Sequence, residues 1–338
     1  MKARRIEGNL IILVEKIRLS LGTAIQLGLE SGPRDPYFTT AFLMTYRKGK
    51  CDANCAFCPQ ARESSTSSDR LSRISWPEFS LDTVINNWIP PGQFQRICIQ
   101  TICYPEVVDD VVDIVRKVRE VSKLPISVAI HPISTRELQR LKDIGVSNIG
   151  IALDACTPEL FNKIKGKERD SSYRWKKHRD ALHDALKVFG KGYVTTHLII
   201  GLGESELDAA KFIAEMYQEG ISVGLFAFTN IKGTSLENHP TPDLASYRRI
   251  QVIRHLVSKR KLKLDQIDED DAGHITITLD SALLSEALSS GEAFRVSGCK
   301  GCNRPFYNER PRGPMYNYPR DLTNDEIRKA IEETGLVG

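Results

Sequence analysis

The stretch FTTAFLMTYRKGKCDANCAFCPQ, Phe38 to Gln60, joins a strand-like segment to a metal-binding pattern. Its first part is rich in apolar, β-branched and aromatic residues, which favour a buried strand. The strand leads into three cysteines, Cys51, Cys55 and Cys58, spaced C-x3-C-x2-C. A structural zinc site needs four protein ligands, whereas three thiolates suit a 4Fe–4S cluster with one iron left open. The stretch therefore predicts a strand that ends at an iron–sulfur site.

Five further apolar runs follow, and amphipathic helical patterns separate them. The runs are FQRICIQT, LPISVAI, SNIGIALD, YVTTHLIIGLG and VGLFAFTN. Alternation of buried strands with amphipathic helices predicts βα units around a parallel sheet. We expect an α/β fold, a partial or complete (β/α) barrel over residues 39–262. Residues 1–38 are predicted to form an N-terminal helical extension, and residues 263–338 a C-terminal extension that carries cysteines.

Composition limits the classes of protein that this chain can be. With 338 residues, 41% of them hydrophobic, it can bury a substantial core, which excludes global disorder. A net charge of +4 is too small to indicate nucleic-acid binding. The segment MKARRIEGNLIILVEKIRLS has Glu15 in its apolar run and lacks a cleavage site, so it predicts an amphipathic helix, not a signal peptide. No apolar run is long enough for a membrane span, and we expect a cytoplasmic protein.

The eight cysteines occur in clusters, which points to metal ligation in a reducing compartment and not to disulfides. Besides the triad there are Cys98 with Cys103, Cys299 with Cys302, and the isolated Cys156. The carboxyl ends of parallel strands share one rim, where active sites lie. The triad, Cys103, Asp154 and the GLGE segment (201–204) all fall at such ends. Taken singly, Cys98 could be a core residue, Asp154 a helix N-cap and GLGE an ordinary turn.

The triad after the first barrel strand, with Phe57 just before its last cysteine, resembles the signature of the radical S-adenosylmethionine superfamily. The resemblance implies that S-adenosylmethionine chelates the open iron of a 4Fe–4S cluster. The segments CAFCPQ, RICIQT, STRELQRLKDIG, IALD, LIIGLGE and IKGTSLENHP are similar to those of biotin synthases. On that similarity Asp154 binds the ribose hydroxyls. The cofactor-binding set implied in this way is Phe57, Asp154, Ile199, Gly201, Gly203 and Glu204, with the backbone of 199–203 along the adenine.

The chain departs from biotin synthases at their auxiliary 2Fe–2S cluster, which three cysteines and an arginine hold. The first cysteine corresponds to Cys98, but the others fall on Ser127 and about Thr195. Two unused pairs, Cys98 with Cys103 and Cys299 with Cys302, suffice for an auxiliary 4Fe–4S cluster. The alternatives are a zinc site made of the same four residues and an unpartnered C-x2-C. Cys156 is expected to be a buried thiol.

Two clusters and S-adenosylmethionine together resemble the arrangement of sulfur-inserting radical enzymes, most of all the archaeal two-protein lipoyl synthases. That resemblance implies sulfur addition to a protein-bound octanoyl or mercaptooctanoyl lysyl chain. It also implies three partners: a lipoyl-carrier protein, a second radical subunit and a ferredoxin- or flavodoxin-type electron donor. No catalytic residue is assigned beyond the cluster ligands. The alternatives are a biotin synthase-like insertase for dethiobiotin or another small substrate, and a non-catalytic metal-stabilised scaffold.

Overall fold

The structure is a computed structural model that describes residues 3–6, 9–12, 14–88, 92–310 and 312–336, with side chains from residue 14 onward. Its strands are β1 (Ala3–Ile6), β2 (Asn9–Ile12), β3 (Lys16–Leu19), β4 (Thr40–Thr45), β5 (Arg70–Leu71), β6 (Ile74–Ser75), β7 (Glu78–Ser80), β8 (Arg96–Gln100), β9 (Ile126–Ala129), β10 (Val146–Gly150), β11 (Val194–Ile200), β12 (Ser222–Ala227), β13 (Ile267–Glu269) and β14 (Ile275–Ile277). Its helices are α1 (Leu21–Gln26), α2 (Leu81–Asn86), α3 (Val107–Val121), α4 (Thr135–Asp143), α5 (Pro158–Ile164), α6 (Trp175–Phe189), α7 (Glu206–Glu219), α8 (Leu244–Ser258), α9 (Ser281–Leu288) and α10 (Asn324–Glu332).

One eight-stranded sheet organises the molecule, in the order β12-β11-β10-β9-β8-β4-β3-β7. The six strands from β4 to β12 in this order pair in parallel, and β3 and β7 pair antiparallel at one edge. The α/β fold and the partial barrel predicted from the apolar runs are confirmed. The carboxyl ends of the six parallel strands consequently share one rim, where the cysteine triad begins.

The barrel helices have local sequence reasons to begin and end where they do. Helix α3 turns seven apolar side chains into the core, at the spacing that a 3.6-residue repeat requires. Helix α4 begins with a capping box, in which the Ser134 hydroxyl and the Glu137 carboxylate each accept an N–H of the other's backbone. Helix α7 is capped at its C-terminal end by Gly220, whose φ of +94° suits glycine. Packing and capping thus support the predicted βα alternation.

The prediction of a helix at the N-terminus is wrong. Strands β1 and β2 pair antiparallel, with Ala3 opposite Ile12, and β3 joins the main sheet beside β4. Within the described part of residues 1–38, the only α-helix is the short α1. The segment carries several isoleucines, which as β-branched residues favour a strand over a helix when a sheet edge offers pairing.

The C-terminal extension crosses to the opposite, amino end of the barrel strands. The polar stretch DQIDEDDAGH, expected only to separate segments, contains β13, which pairs with β14. Further along, the guanidinium of Arg96 donates to the carbonyl of Lys300 at 2.9 Å, and the backbone N–H of Asn303 donates to Thr40 Oγ1 at 3.1 Å. Thr40 and Arg96 begin β4 and β8. Residues 298–304, which we call the C-terminal knuckle, therefore close the amino end of the barrel.

Candidate active site

A central cavity of about 260 Å³ lies inside the barrel. Its wall combines the triad loop, inward-facing residues of the strands and the C-terminal knuckle. Seven of the eight cysteines line it: Cys51, Cys55, Cys58, Cys98, Cys103, Cys299 and Cys302. One cavity therefore collects thiols from three separate parts of the sequence.

The triad lies on a tightly bonded loop that follows β4. The backbone N–H of Cys51 donates to Gln60 at 2.9 Å, and that of Ala56 donates to Ile164 at 2.7 Å. Burial raises the pKa of the Cys55 thiol, and it raises that of Cys58 to about 12. Such thiols ionise only when a cation compensates the charge. The backbone N–H of Cys103 points at Cys51 Sγ at 3.0 Å, as a donor to a thiolate would. The loop therefore fits a cluster bound by three thiolates.

Asp154 faces the same cavity and forms a buried ion pair. Its carboxylate accepts from Lys165 Nζ at 2.7 Å, and Lys165 also donates to the carbonyl of Ala152 at 2.8 Å. Burial disfavours the charged lysine, but Asp154 and Cys55 outweigh it and the pKa of Lys165 is raised. The N-cap of the following helix is Thr157, so Asp154 does not cap it. Asp154 itself adopts a φ of +64°, a backbone conformation that non-glycine residues rarely occupy.

The remaining residues of the implied cofactor set divide into two groups. Phe57 and Ile199 line the central cavity. Glu204 turns back onto its own loop, where its carboxylate accepts the N–H groups of Gly201 at 2.6 Å and Leu202 at 3.0 Å. Among the described residues, Gly201, Gly203 and Glu204 are not part of the cavity wall. The role of Glu204 that the geometry shows is to fix the loop after β11.

Three of the four cysteines predicted to hold an auxiliary cluster come together. Cys98 lies within β8, and its thiol is close enough to Cys302 and Cys299 that, after burial, these two neighbours contribute most to raising its pKa. The knuckle is closed by a bond from the N–H of Cys302 to the carbonyl of Cys299 at 2.9 Å. These three residues form what we call the auxiliary thiol set.

Comparison with known proteins supplies the family. Residues 46–216, just over half of the chain, match the radical SAM superfamily. The chain belongs to the radical SAM superfamily. Membership implies a 4Fe–4S cluster and S-adenosylmethionine, and the triad fits the first.

Curated relatives of this radical SAM chain include biotin synthases. That of Synechococcus elongatus is 26% identical over 305 residues, which cover 86% of this chain and 85% of the relative. That of Synechococcus sp. strain JA-3-3Ab is 25% identical over 233 residues, 66% of this chain and 70% of the relative. The chain is thus distantly biotin synthase-like.

Solved radical SAM structures share the fold. Methylornithine synthase (PylB) aligns with a TM-score of 0.51 at 17% identity, over 71% of this chain and 72% of that one. The FeFe-hydrogenase maturase HydG from Carboxydothermus hydrogenoformans aligns with a TM-score of 0.51 at 15% identity, over 89% of this chain and 67% of that one. At these identities the likeness concerns the barrel alone.

Cys103, predicted as the fourth auxiliary ligand, lies beside the radical SAM triad instead. Its pKa is raised to about 11 by burial and by Cys51, while a hydrogen bond with Tyr173 lowers it. Cys98 sits inside a strand that advances about 3.3 Å per residue, so a residue five positions later is carried far along the barrel. Cys156 is buried outside the cavity wall, and burial followed by Glu204 raises its pKa.

Sequence reasoning missed several residues of this radical SAM site. Lys165 follows α5 in no recognisable motif, and only the fold shows that it meets Asp154. His197 faces the cavity with its pKa lowered to about 4 by burial, so its ring is neutral. Arg304 and Tyr307 reach the cavity from the C-terminal extension. An alternation rule could have found His197, because it is two residues before Ile199 on β11.

Two negative observations concern the described part of the chain. No three His, Cys, Asp or Glu side chains converge closely enough there to enclose a single metal ion. In an iron–sulfur cluster each thiolate binds a different iron, so the ligands need not converge on one point. The observation therefore bears on the predicted zinc alternative and not on a cluster. None of the described helices has both the length and the apolar character that a bilayer crossing requires.

Proposed function

We propose that this radical SAM enzyme inserts sulfur at an unactivated carbon, with an auxiliary iron–sulfur cluster as the sulfur source. One observation carries the proposal: two separate thiol sets line one cavity inside one barrel. The triad and the auxiliary thiol set belong to different segments and have different neighbours. A scaffold protein has no use for a second thiol set that faces a nucleoside-binding cavity.

The residues of the cavity have distinct proposed roles. Cys51, Cys55 and Cys58 would hold the first cluster, and Cys98, Cys299 and Cys302 the auxiliary one. When bound, the first cluster and S-adenosylmethionine supply a 5′-deoxyadenosyl radical, and the auxiliary cluster supplies sulfide.

The residues of the chain itself would bind and orient S-adenosylmethionine and the substrate, and they would keep water out. Asp154 would accept hydrogen bonds from the ribose hydroxyls, and the bond from Lys165 holds that carboxylate in position. Phe57 and Ile199 offer apolar contact to the nucleoside. Because the knuckle closes the amino end of the barrel, a substrate must enter from the rim that carries the triad. The position of the cavity inside the barrel would limit the access of water to the radical.

Two substrate classes follow from different observations. The biotin synthase relatives favour a small dethiobiotin-like substrate. The auxiliary thiol set favours the second class, a protein-bound octanoyl or mercaptooctanoyl lysyl chain. Two of its three thiols come from the C-terminal knuckle, whereas biotin synthases supply theirs from barrel strands. For the protein-bound lysyl chain, the proposal includes three partners: an acylated carrier domain, a partner radical subunit and a ferredoxin- or flavodoxin-type electron donor.

The test combines iron analysis with a substrate assay. Anaerobically reconstituted protein should carry about eight irons, as two 4Fe–4S clusters require. Dethiobiotin, an octanoyl-lysyl peptide and a mercaptooctanoyl-lysyl peptide are then incubated separately with S-adenosylmethionine and dithionite. Mass spectrometry should show one sulfur gain on only one substrate class.

The matched control replaces Cys98, Cys299 and Cys302 with alanine. This variant should keep about half of the iron and still form 5′-deoxyadenosine, but it should transfer no sulfur. A wild type with only four irons would remove the auxiliary cluster from the proposal. Failure to bind S-adenosylmethionine would favour the scaffold alternative.

A further inference from the structure

Each member of the auxiliary thiol set has its own side-chain hydrogen-bond donor. Gln100 Nε2 donates to Cys98 Sγ at 3.0 Å. The Ser127 hydroxyl donates to Cys299 Sγ at 3.5 Å, and Arg304 Nη1 donates to Cys302 Sγ at 3.5 Å. These are three different residue types on three different segments, and each serves one thiol.

The sequence places these donors by simple geometry. Gln100 is two residues after Cys98 on β8, so both side chains face the barrel interior. Ser127 on β9 is the direct register partner of Cys98. Arg304 is two residues after Cys302 in the knuckle. Strand alternation, strand register and the short knuckle each supply one donor.

Two of the donors are held in position by further contacts. The Arg304 guanidinium lies over the Phe226 ring, 4.1 Å from its centroid, and also donates to the carbonyl of Ser297 at 3.0 Å. The buried Arg96 guanidinium donates to the Ser127 oxygen. That bond occupies a lone pair of the hydroxyl and leaves its proton for Cys299. Ser127 and Arg304 are therefore held in place by the protein itself.

Among the described residues, the sulfurs of the triad receive hydrogen bonds from the backbone and not from side chains. Cys51 receives the backbone N–H of Cys103 at 3.0 Å, and Cys58 has a backbone donor at Gln60. In the part of the chain that the structure describes, no side-chain donor to Cys51, Cys55 or Cys58 is found within hydrogen-bond distance. The auxiliary thiol set thus has side-chain donors to its sulfurs, whereas the triad has backbone donors and the buried ammonium of Lys165 nearby.

We propose that Gln100, Ser127 and Arg304 are positioning residues that raise the reduction potential of the auxiliary cluster. The inference rests on the proposed function, because it needs a cluster on Cys98, Cys299 and Cys302. Hydrogen bonds to ligating sulfurs stabilise the more negative, reduced state, and so does a nearby guanidinium. A raised potential suits a cluster that would have to accept electrons when it gives up sulfide.

The experiment isolates the auxiliary cluster in a Cys51→Ala, Cys55→Ala, Cys58→Ala background. The variants Gln100→Leu, Ser127→Ala and Arg304→Met are added singly, with Arg304→Lys as rescue and the exposed Gln139→Leu as control. Iron content is measured first, and the midpoint potential is then measured by titration monitored with electron paramagnetic resonance. Each donor removal should change the reduced-to-oxidised ratio at fixed potential by roughly tenfold, a shift of about 59 mV to more negative values.

The outcomes distinguish the positioning role of the three donors from the existence of the auxiliary cluster. Arg304→Lys should retain most of the wild-type potential, and Gln139→Leu all of it. Full iron with unchanged midpoints in Gln100→Leu, Ser127→Ala and Arg304→Met overturns the positioning role but leaves the auxiliary cluster standing. A background protein without iron overturns the auxiliary site, and this inference with it. Ser127→Ala removes a single oxygen atom, so it keeps the test decisive if a larger substitution prevents folding.

Discussion

Replacing Lys165 with methionine removes one charge from the buried pair with Asp154 and preserves most of the side-chain volume. The two groups are 2.7 Å apart, and their side chains are only 4% and 11% exposed. Removing one partner of a buried pair leaves an uncompensated charge, which costs about 3–5 kcal/mol. We expect Lys165→Met to lower the free energy of unfolding of the cofactor-free protein by that amount, measured by urea denaturation.

The pH dependence of this effect has a definite sign. The pKa of Lys165 is raised above its usual 10.5, because Asp154 and Cys55 outweigh the effect of burial. A raised pKa stabilises the folded chain fully below the unfolded pKa, and the stabilisation is lost as pH rises through the folded pKa. The difference between wild type and Lys165→Met should therefore be constant from about pH 6 to 9 and shrink above about pH 10.5.

A double-mutant cycle with Asp154→Asn isolates the pair itself. The double variant should be more stable than the sum of the single losses indicates, because no charge is then left alone. Lys176→Met is the matched control: its bond to Asp180 is 2.8 Å long, but the lysine side chain is 84% exposed, so about 0.3–0.5 kcal/mol is expected. If Lys165→Met costs no more than Lys176→Met, or if the cycle is additive, the argument from burial is refuted.

Three further predictions concern the ligands, the cofactor and acid stability. Cys103→Ala should still carry about eight irons by iron and sulfide analysis, and a loss of half would place Cys103 among the ligands. Asp154→Ala should weaken S-adenosylmethionine binding by about 1–3 kcal/mol in calorimetry without loss of iron, and unchanged affinity would contradict the ribose role. Burial lowers the pKa of His178 to about 2 and those of His197 and His255 to about 4, so an unfolded chain binds protons that the folded one refuses. The contribution of these neutral histidines to the free energy of unfolding is complete above about pH 6.5 and should be lost as pH falls toward 4. In urea titrations, His255→Gln should lose up to about 1.4 kcal/mol less per pH unit than the wild type.

The barrel could be predicted because its strands are buried on both faces. Such strands appear as nearly continuous apolar runs, and the helices between them have a clear 3.6-residue repeat. The triad could be predicted because its spacing is local and its strand lies directly before it. The N-terminal strands could not, since a short segment with both basic and β-branched residues is helical or extended according to what it pairs with.

The parts of the site that escaped prediction depend on distant contacts. Cys98 and Cys103 are close in sequence and are therefore predicted to bind one cluster. Because Cys98 lies in the extended strand β8, the two thiols are far apart along the barrel. Lys165 meets Asp154 only because the end of α5 returns to the residues that follow β10. The donors Ser127 and Arg304 come to Cys299 and Cys302 through strand register and the knuckle, neither of which a local pattern reveals.

The place of the C-terminal knuckle has a consequence for the order in which the protein matures. About 240 residues separate Cys58 from Cys299, and a ribosome needs roughly 10 to 50 s to add them. The strands β8 to β12, Cys98 and Asp154 are synthesised during that interval, before either cysteine of the knuckle. Nascent chains therefore pass through a stage in which the first thiol set is complete and the second is not. Under the proposed function, iron and sulfide would reach the second set only after Cys302 is synthesised, so the two clusters would be assembled one after the other.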